Sequence, residues 1–325
     1  DRIEPVLPPV ARSLDDVLTP ESQYSFWQRI KRWGAGLGLN EAISYSFVGQ
    51  KDLDALNLPQ EGRIAIMNPL SADQDVLRTA IAPGLLNALK NNMATGASGV
   101  RLFELASVFH ADATSYTTAR ETGMLGILLS GQRYDQAWPR HAEELDYMDL
   151  KGLVENLVRF LHLGGLAVRQ METHPYYEPA VEILVGSESV GVMGRVKAEA
   201  ADRANARFPV WMAELNLETA RSLHDQGGIA FRNLDVYPPV RRDITVAAPE
   251  DMKVEAIRTA ILGMKLPLLQ EVALANVFEP EGKTVRNLTF RLTFRHAERT
   301  LRDAEVDKLR DKIVASLTKD FGVTI

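Results

Sequence analysis

The residues best suited to chemistry here are Thr289, Arg291, Thr293 and Arg295. They take every second position of a short segment, while Leu288, Phe290, Leu292 and Phe294 alternate with them. A period of two puts the polar set on one face of a strand and the apolar set on the other. Guanidinium groups bind phosphates and threonine hydroxyls bond sugars or base edges, so this face suits RNA. A solvated sheet face is also polar, and from this strand alone both readings stand. Arg241 and Thr245 share the parity opposite Ile244 and Val246 and join the candidate face. Asn276 and Phe278 are candidates for base-edge readout and base stacking, with a core role the competing reading for Phe278. Asp243 would repel phosphate on that face and is expected to orient Arg241 instead.

Catalytic constellations are sparse. The six histidines show no HExxH spacing, and no GxSxG elbow or GxxxxGK[ST] loop occurs. Gly34, Gly36 and Gly38 close a helix rather than cradle a phosphate, and Glu143-Glu144 reads as a solvated loop. With no cysteine, a disulfide framework and a thiolate zinc site are both excluded, which fits a cytoplasmic protein. No metal site and no catalytic residue is expected in this chain. A net charge of −6 argues against a protein that coats nucleic acid non-specifically. The charge is uneven: residues 231–325 hold 16 basic and 14 acidic residues, leaving 21 basic and 29 acidic before them. A polyanion would favour the C-terminal part.

These residues must be positioned by α+β elements. Residues 1–19, with Pro5, Pro8 and Pro9, read as a linker from a missing upstream domain, since the chain opens on Asp1 rather than Met. Thr19-Pro20-Glu21 reads as a helix start. Phe26, Trp27, Ile30, Trp33 and Leu37 then form an apolar stripe, read either as core or as a subunit interface. Strands are expected at 41–48, 63–67, 100–109 and 124–129, with a helix opened by Pro83-Gly84. Asp149 is expected to cap the next helix, whose apolar face runs from Leu150 to Leu161. A hairpin across Gly186-Ser187-Glu188-Ser189, a helix at 197–206 and a strand at 210–217 follow, grouping the strands as in an antiparallel α+β domain. The expected domains are 20–217 and 231–325, joined by a linker at 218–230. The second reads βαββαβ, a ferredoxin-like plait with one sheet face open. Its last helix has a capping-box spacing at Thr300-Leu301-Arg302-Asp303.

Five segments, taken together and in order, carry a specific resemblance: NPLSADQDVLRTAIAPGLLNALKNN at 68–92, VRLFELASVF at 100–109, DLKGLVENL at 149–157, YPPVRRDITV at 237–246 and NLTFRLTFRHAERTLRDAEV at 287–306. The chain resembles the C-terminal part of the bacterial phenylalanine–tRNA ligase beta subunits. The resemblance covers essentially the whole chain. It implies a class II synthetase-like antiparallel domain at 20–217, catalytically silent, followed by an anticodon-binding ferredoxin fold.

Active class II synthetases carry Arg-x-Glu on a central strand, the arginine binding ATP phosphate. Here Glu104 stands in the glutamate position and Leu102 in that of the arginine. Leucine donates no charge-assisted bond to a phosphate. The resemblance therefore implies an enzyme only as part of a holoenzyme that uses ATP and magnesium, with no cofactor in this chain. Its implied partners are the alpha subunit, in a heterotetramer of two alpha and two beta subunits, and phenylalanine tRNA, with no membrane. It also turns Phe26, Trp27 and Trp33 into candidate alpha-subunit contacts. Two segments depart from the family pattern. Ala275-Asn276 replaces a Phe-Asp pair, and His174-Pro175-Tyr176-Tyr177-Glu178-Pro179-Ala180 lacks the basic residue of an HPxRSA segment. The alternative function is an amino-acid-binding regulatory module, a role other plaits play, which the glycine-free Ala247-Ala248-Pro249-Glu250 loop disfavours.

Overall fold

A computed structural model describes residues 22–71, 73–135, 137–227, 234–280 and 285–324. The chain divides into two compact units, Asp1–Ile229 and Ala230–Ile325. The proposed linker at 1–19 and the helix start at Thr19-Pro20-Glu21 lie outside the described residues.

The first unit contains helices α1 (Gln23–Gly36), α2 (Gln50–Asp54), α3 (Ala82–Ala94), α4 (Tyr147–Phe160), α5 (Ala198–Arg203) and α6 (Leu217–Gly227). Its main strands are β1 (Asn40–Glu41), β4 (Gly99–Ala111), β5 (Ala119–Gly131), β6 (Leu166–Met171), β7 (Tyr177–Val185), β8 (Glu188–Val196) and β9 (Val210–Asn216). They form one seven-stranded sheet in the order β1-β4-β5-β9-β8-β7-β6. Only β1 runs parallel to its neighbour; the other pairs are antiparallel. β2 (Phe47–Val48) and β3 (Val76–Leu77) make a separate two-stranded pair.

Alternation along β4 and β5 splits the apolar residues between two cores. Phe103, Leu105, Leu125, Ile127 and Leu129 pack with Phe26, Ile30 and Trp33 of α1 and with Leu150, Val154 and Leu157 of α4. Leu102 and Leu128 point the other way and pack with Ile81, Leu85 and Leu89 at α3. Both faces of the sheet are therefore covered. Gly126 makes the α3 contact possible, because a Cβ there would come within 2.6 Å of Ile81.

Several local expectations change. The strand expected at 41–48 breaks in the middle, since the Ser44 backbone N–H bonds the Glu104 carboxylate at 3.1 Å instead of a neighbouring strand. Residues 63–67 contribute only the single bridge Ala65↔Val76 before the turn at Asn68-Pro69. Helix α4 is capped by Asp146, whose side chain accepts from the Met148 and Asp149 backbone N–H groups; Asp149 is the reciprocal acid, accepting from the Asp146 N–H. Residues 218–227, expected as linker, are helical. The Asn216 side chain accepts from the Glu218 and Thr219 N–H groups, and Leu217 and Ala220 are buried in the core.

The second unit contains β10 (Val240–Pro249), α7 (Val254–Gly263), β11 (Leu269–Phe278), β12 (Val285–Phe294) and α8 (Asp303–Phe321). β12 lies between β10 and β11, antiparallel to both. Thr324 bridges Ala247 on the far edge of β10. The order Thr324–β10–β12–β11 is that of a ferredoxin-like plait. Ile257 and Ile261 of α7 and Val306, Ile313 and Leu317 of α8 bury Leu288, Phe290, Leu292 and Phe294 beneath them. The α8 cap also shifts from the expected box. Its N-cap is Arg302, whose N–H bonds Glu305 at 3.1 Å, and Arg299 grips the same carboxylate with two bonds of 2.9 Å. Those bonds hold the Glu305 carboxyl down at about 2. The left-handed Gly322, φ +63°, ends the helix.

Candidate nucleic-acid interface

Helices cover one face of the plait sheet, and strand register defines what remains on the other. Arg241 pairs with Thr293, Asp243 with Arg291, and Thr245 with Thr289. Directly opposed residues of an antiparallel pair point to the same face. On the other side of β12, Glu271 opposes Thr293, Ala273 opposes Arg291, Asn276 opposes Thr289 and Phe278 opposes Asn287. A bulge between Leu274 and Asn276 inserts Ala275 and switches the parity of β11. Without it Asn276 and Phe278 would sit on opposite faces from Glu271 and Ala273. With it, Asn276 and Phe278 lie on the open face beside Thr289. Phe278 is exposed, so it is not a core residue.

The charges arrange themselves differently from expectation. Arg291 donates to both oxygens of Asp243, Nε at 2.9 Å and Nη2 at 2.8 Å. Asp243 therefore does not orient Arg241. Its register partner is Arg291, directly across the ladder, whereas Arg241 lies two positions along its own strand. The hydrogen bonds from Arg291 hold the Asp243 carboxyl below the usual range and raise the guanidinium in turn. Arg295 is likewise engaged, in an ion pair with Asp235. Both arginines singled out in the sequence are thus already paired.

Of the other candidates, Thr293 is only 9% exposed and offers little to a ligand. The Thr245 and Thr289 hydroxyls bond each other at 3.0 Å. Arg241 is exposed, and among the described residues its side chain has no carboxylate partner. Arg242, the next residue, turns to the helix face and pairs with Asp303 and Asp307. The open face is accordingly mixed in charge: among the described residues Arg241 is its free cation, Glu271 its free acid, and Asn287 an amide outside the set expected from the sequence. Asn287 was findable, because the two-residue period of β12 reaches it.

The three candidate interface residues divide. Phe26 is fully buried and Trp33 nearly so, its indole N–H donating to Asn156 Oδ1 at 2.8 Å. Both belong to the core of their own unit and are corrected as interface residues. Trp27 remains half-buried against Gly123, where a Cβ would meet its ring at 2.8 Å. Large apolar side chains are exposed elsewhere: Ile43 at 87%, Tyr45 at 76% and, beyond them in sequence, Met67 and Leu70. Ile43 and Tyr45 flank Ser44, whose hydroxyl turns inward to Glu104 at 2.9 Å.

The centre of the large sheet is closed. Glu104 is buried and paired with Arg78 at 2.8 Å, which also donates to the Ser107 carbonyl. Glu214 is buried as well, accepting from the Ala82 N–H at the start of α3 and from the Tyr176 hydroxyl, both at 2.6 Å. Burial raises its carboxyl above the ordinary range. His174 stacks on Tyr177 with ring centroids 4.5 Å apart and lies edge-on to Tyr176. Its Nδ1 accepts from the Tyr177 N–H, and burial together with Lys197 lowers it to about 4.

These features define a two-unit α+β protein whose second unit is a plait with one face open. Residues 236–325 match the ferredoxin-fold anticodon binding domain. Residues 5–217 match the CLM domain of the phenylalanyl tRNA synthetase beta chain, and the chain belongs to that family. A phenylalanine–tRNA ligase beta subunit of Nitratidesulfovibrio vulgaris is 59% identical over 325 residues, covering 100% of this chain and 41% of the relative. That of Oleidesulfovibrio alaskensis is 55% identical, over 92% of this chain and 38% of the relative. The chain thus spans about two fifths of the length of these curated relatives. Among solved structures, a pyrrolysyl-tRNA synthetase from Desulfitobacterium hafniense shares the fold, with TM-score 0.51 and 10% identity over 64% of this chain and 71% of the other.

Proposed function

We propose that the chain is a non-catalytic portion of a phenylalanine–tRNA ligase beta subunit, supporting the ATP-dependent attachment of phenylalanine to its tRNA in a cytoplasmic heterotetramer. The plait reads the anticodon region, and the first unit is a class II synthetase-like scaffold for the alpha subunit. The observation that carries the tRNA role is the convergence of Arg241, Thr245, Thr289, Asn276 and Phe278 on one open sheet face. Exposed Phe278 offers a stacking ring, Asn276 a base-edge amide and Arg241 a phosphate ligand. Arg291 and Arg295 contribute as ion pairs rather than as free cations.

The residues of the large sheet do not suit ATP or its magnesium. Leu102 holds the position where an arginine would meet phosphate, Glu104 is consumed by Arg78 and Ser44, and α3 with Ile81 and Leu85 lies over Gly126. The adenylate chemistry belongs to the partner subunit in this reading. With Phe26 and Trp33 internal, the exposed Ile43 and Tyr45 replace them, beside Trp27, as the candidate contacts of that partner.

Electrophoretic binding of this chain to phenylalanine tRNA tests the reading. The Arg241→Ala and Phe278→Ala variants each weaken binding about tenfold, taking one stacked base or phosphate at roughly 1–3 kcal/mol. Unchanged affinity in both removes the open face from tRNA recognition.

A further inference from the structure

The segment that follows β5 folds back across the start of β4. The Gln132 N–H bonds the Ser98 carbonyl at 2.9 Å, and Gly131, φ +95°, permits a crossing where a Cβ would fall 2.4 Å from that oxygen. The fold-back borders an open groove of about 600 Å³ whose lining includes Arg101, Tyr134, Asp135, Trp138 and Arg140. None of these residues serves the functions assigned above.

The groove combines aromatic faces with uncommitted cations. Trp138 is 95% exposed and Tyr134 is half-exposed. The Arg140 guanidinium carbon lies over the Tyr134 ring, 5.2 Å from its centroid. Arg101 donates only to the neutral carbonyls of Gln132 and Arg133. Neither arginine has a carboxylate partner among the described residues. Arg133 differs: three carboxylates, Asp149, Glu143 and Asp146, pair with it, so its cluster is acidic on balance and it is no ligand for an anion. Asp135, which accepts from the Ser98 hydroxyl at 3.1 Å, is the acid of the wall. Arg101 and Arg140 against Asp135 leave one positive charge on that side of the groove, bounded by the acidic surplus around Arg133. That complements a single phosphate rather than a long backbone track.

We propose that this groove takes one unpaired nucleotide of tRNA, its base stacked on Trp138 and its phosphate held by Arg140 and Arg101. The proposal rests on the reading of the chain as part of a tRNA-binding subunit and adds a contact outside the plait. An indole face stacks on any base, and a guanidinium edge grips phosphate through two parallel bonds. A base in a duplex offers no free face, so the nucleotide must be unpaired.

The test uses the full-length beta subunit assembled with its alpha subunit, and phenylalanine tRNA as probe. Trp138→Ala raises the Kd about tenfold, the effect of one stacked base, whereas Trp138→Phe stays within about threefold of the parent because a ring remains. Arg140→Ala lowers the slope of log K against log salt by about one, as loss of one phosphate contact does. A Kd within twofold of the parent for Trp138→Ala and an unchanged slope for Arg140→Ala overturn the proposal. So does a fall in the mass of the assembled complex in either variant, which marks the groove as a protein-docking surface. Arg241→Ala serves as the plait control. If it weakens binding while the groove variants do not, the groove assignment alone fails; if the parent complex itself does not bind this tRNA, the tRNA reading fails with it.

Discussion

Replacing Asp243 by asparagine separates two roles for the open plait face. Asp243 now holds both donor edges of Arg291 at 2.9 and 2.8 Å, and its side chain is exposed. Such an exposed pair contributes about 0–1 kcal/mol to folding, so the variant keeps its fold. Its effect falls on RNA instead. Removing one negative charge roughly 7 Å from a phosphate relieves about 0.6 kcal/mol at the dielectric of water, and screening cuts that to about 0.25 kcal/mol. Two or three phosphates within range give about 0.5–0.8 kcal/mol, or close to a threefold gain in affinity. If the released Arg291 then takes a phosphate, the log–log salt slope steepens by about one. Fluorescence titration of tRNA against the chain over a range of potassium chloride concentrations measures both quantities. Tenfold weaker binding in Asp243→Asn refutes the reasoning, because it makes the carboxylate itself an acceptor for an RNA donor.

Three further perturbations address the first unit. Phe26→Ala lowers stability by about 3–5 kcal/mol in denaturant unfolding, since the ring is fully buried, whereas Trp27→Ala costs under half as much and instead weakens capture of the alpha subunit in co-purification. Glu214→Ala strands the Ala82 N–H and the Tyr176 hydroxyl and costs about 3–5 kcal/mol, while Glu214→Gln keeps an acceptor oxygen for the Ala82 N–H and turns the other bond round, its NH2 donating to the Tyr176 oxygen, and costs about 1–2 kcal/mol by the same measurement. His174, lowered to about 4, is neutral in the fold while the unfolded chain takes up a proton near 6.5. Stability therefore falls as pH drops from about 6.5 to about 4, by roughly 2 kcal/mol after allowance for partial exposure, and His174→Phe, which keeps the stack on Tyr177, flattens that slope in urea titrations.

Much of this architecture is legible in the chain because it depends on local period. The two-residue alternation of 288–294 predicts a buried row, and Leu288, Phe290, Leu292 and Phe294 are all fully buried. The plait order follows from element types in sequence, with only the last strand reduced to a single bridge. Helix caps were legible to within a turn: Asp146 rather than Asp149 begins α4, since both acids fit the spacing and only the backbone decides which is outside the helix. Helix α6 is hard to read because the glycines at 227–228 suggest a boundary, while Asn216, the capping residue that announces the helix, is also the last residue of the preceding strand.

What the chain does not disclose is partner choice across elements. Arg291 and Arg295 looked like free phosphate ligands because their own strand contains no acid. Their carboxylates come from residues 48 and 60 positions away, Asp243 set opposite Arg291 by strand register and Asp235 reaching Arg295 from the segment before β10. Ala275 makes the same point for β11. One inserted residue, recognisable only against the β12 ladder, turns Asn276 and Phe278 onto the face that alternation alone left ambiguous. The tryptophans of α1 follow this rule too: Trp33 is internal because Asn156 of α4 supplies an acceptor for its indole N–H, and Trp27 stays near the surface because Gly123 of β5 gives it a place to lie. A residue's type fixes the chemistry it has to offer. Whether that chemistry is spent inside the fold or left for a ligand depends on the residue that long-range pairing sets against it. On this plait that criterion selects Arg241 over Arg291 and Arg295, which is why the alanine variant of Arg241 is the more demanding test of RNA contact.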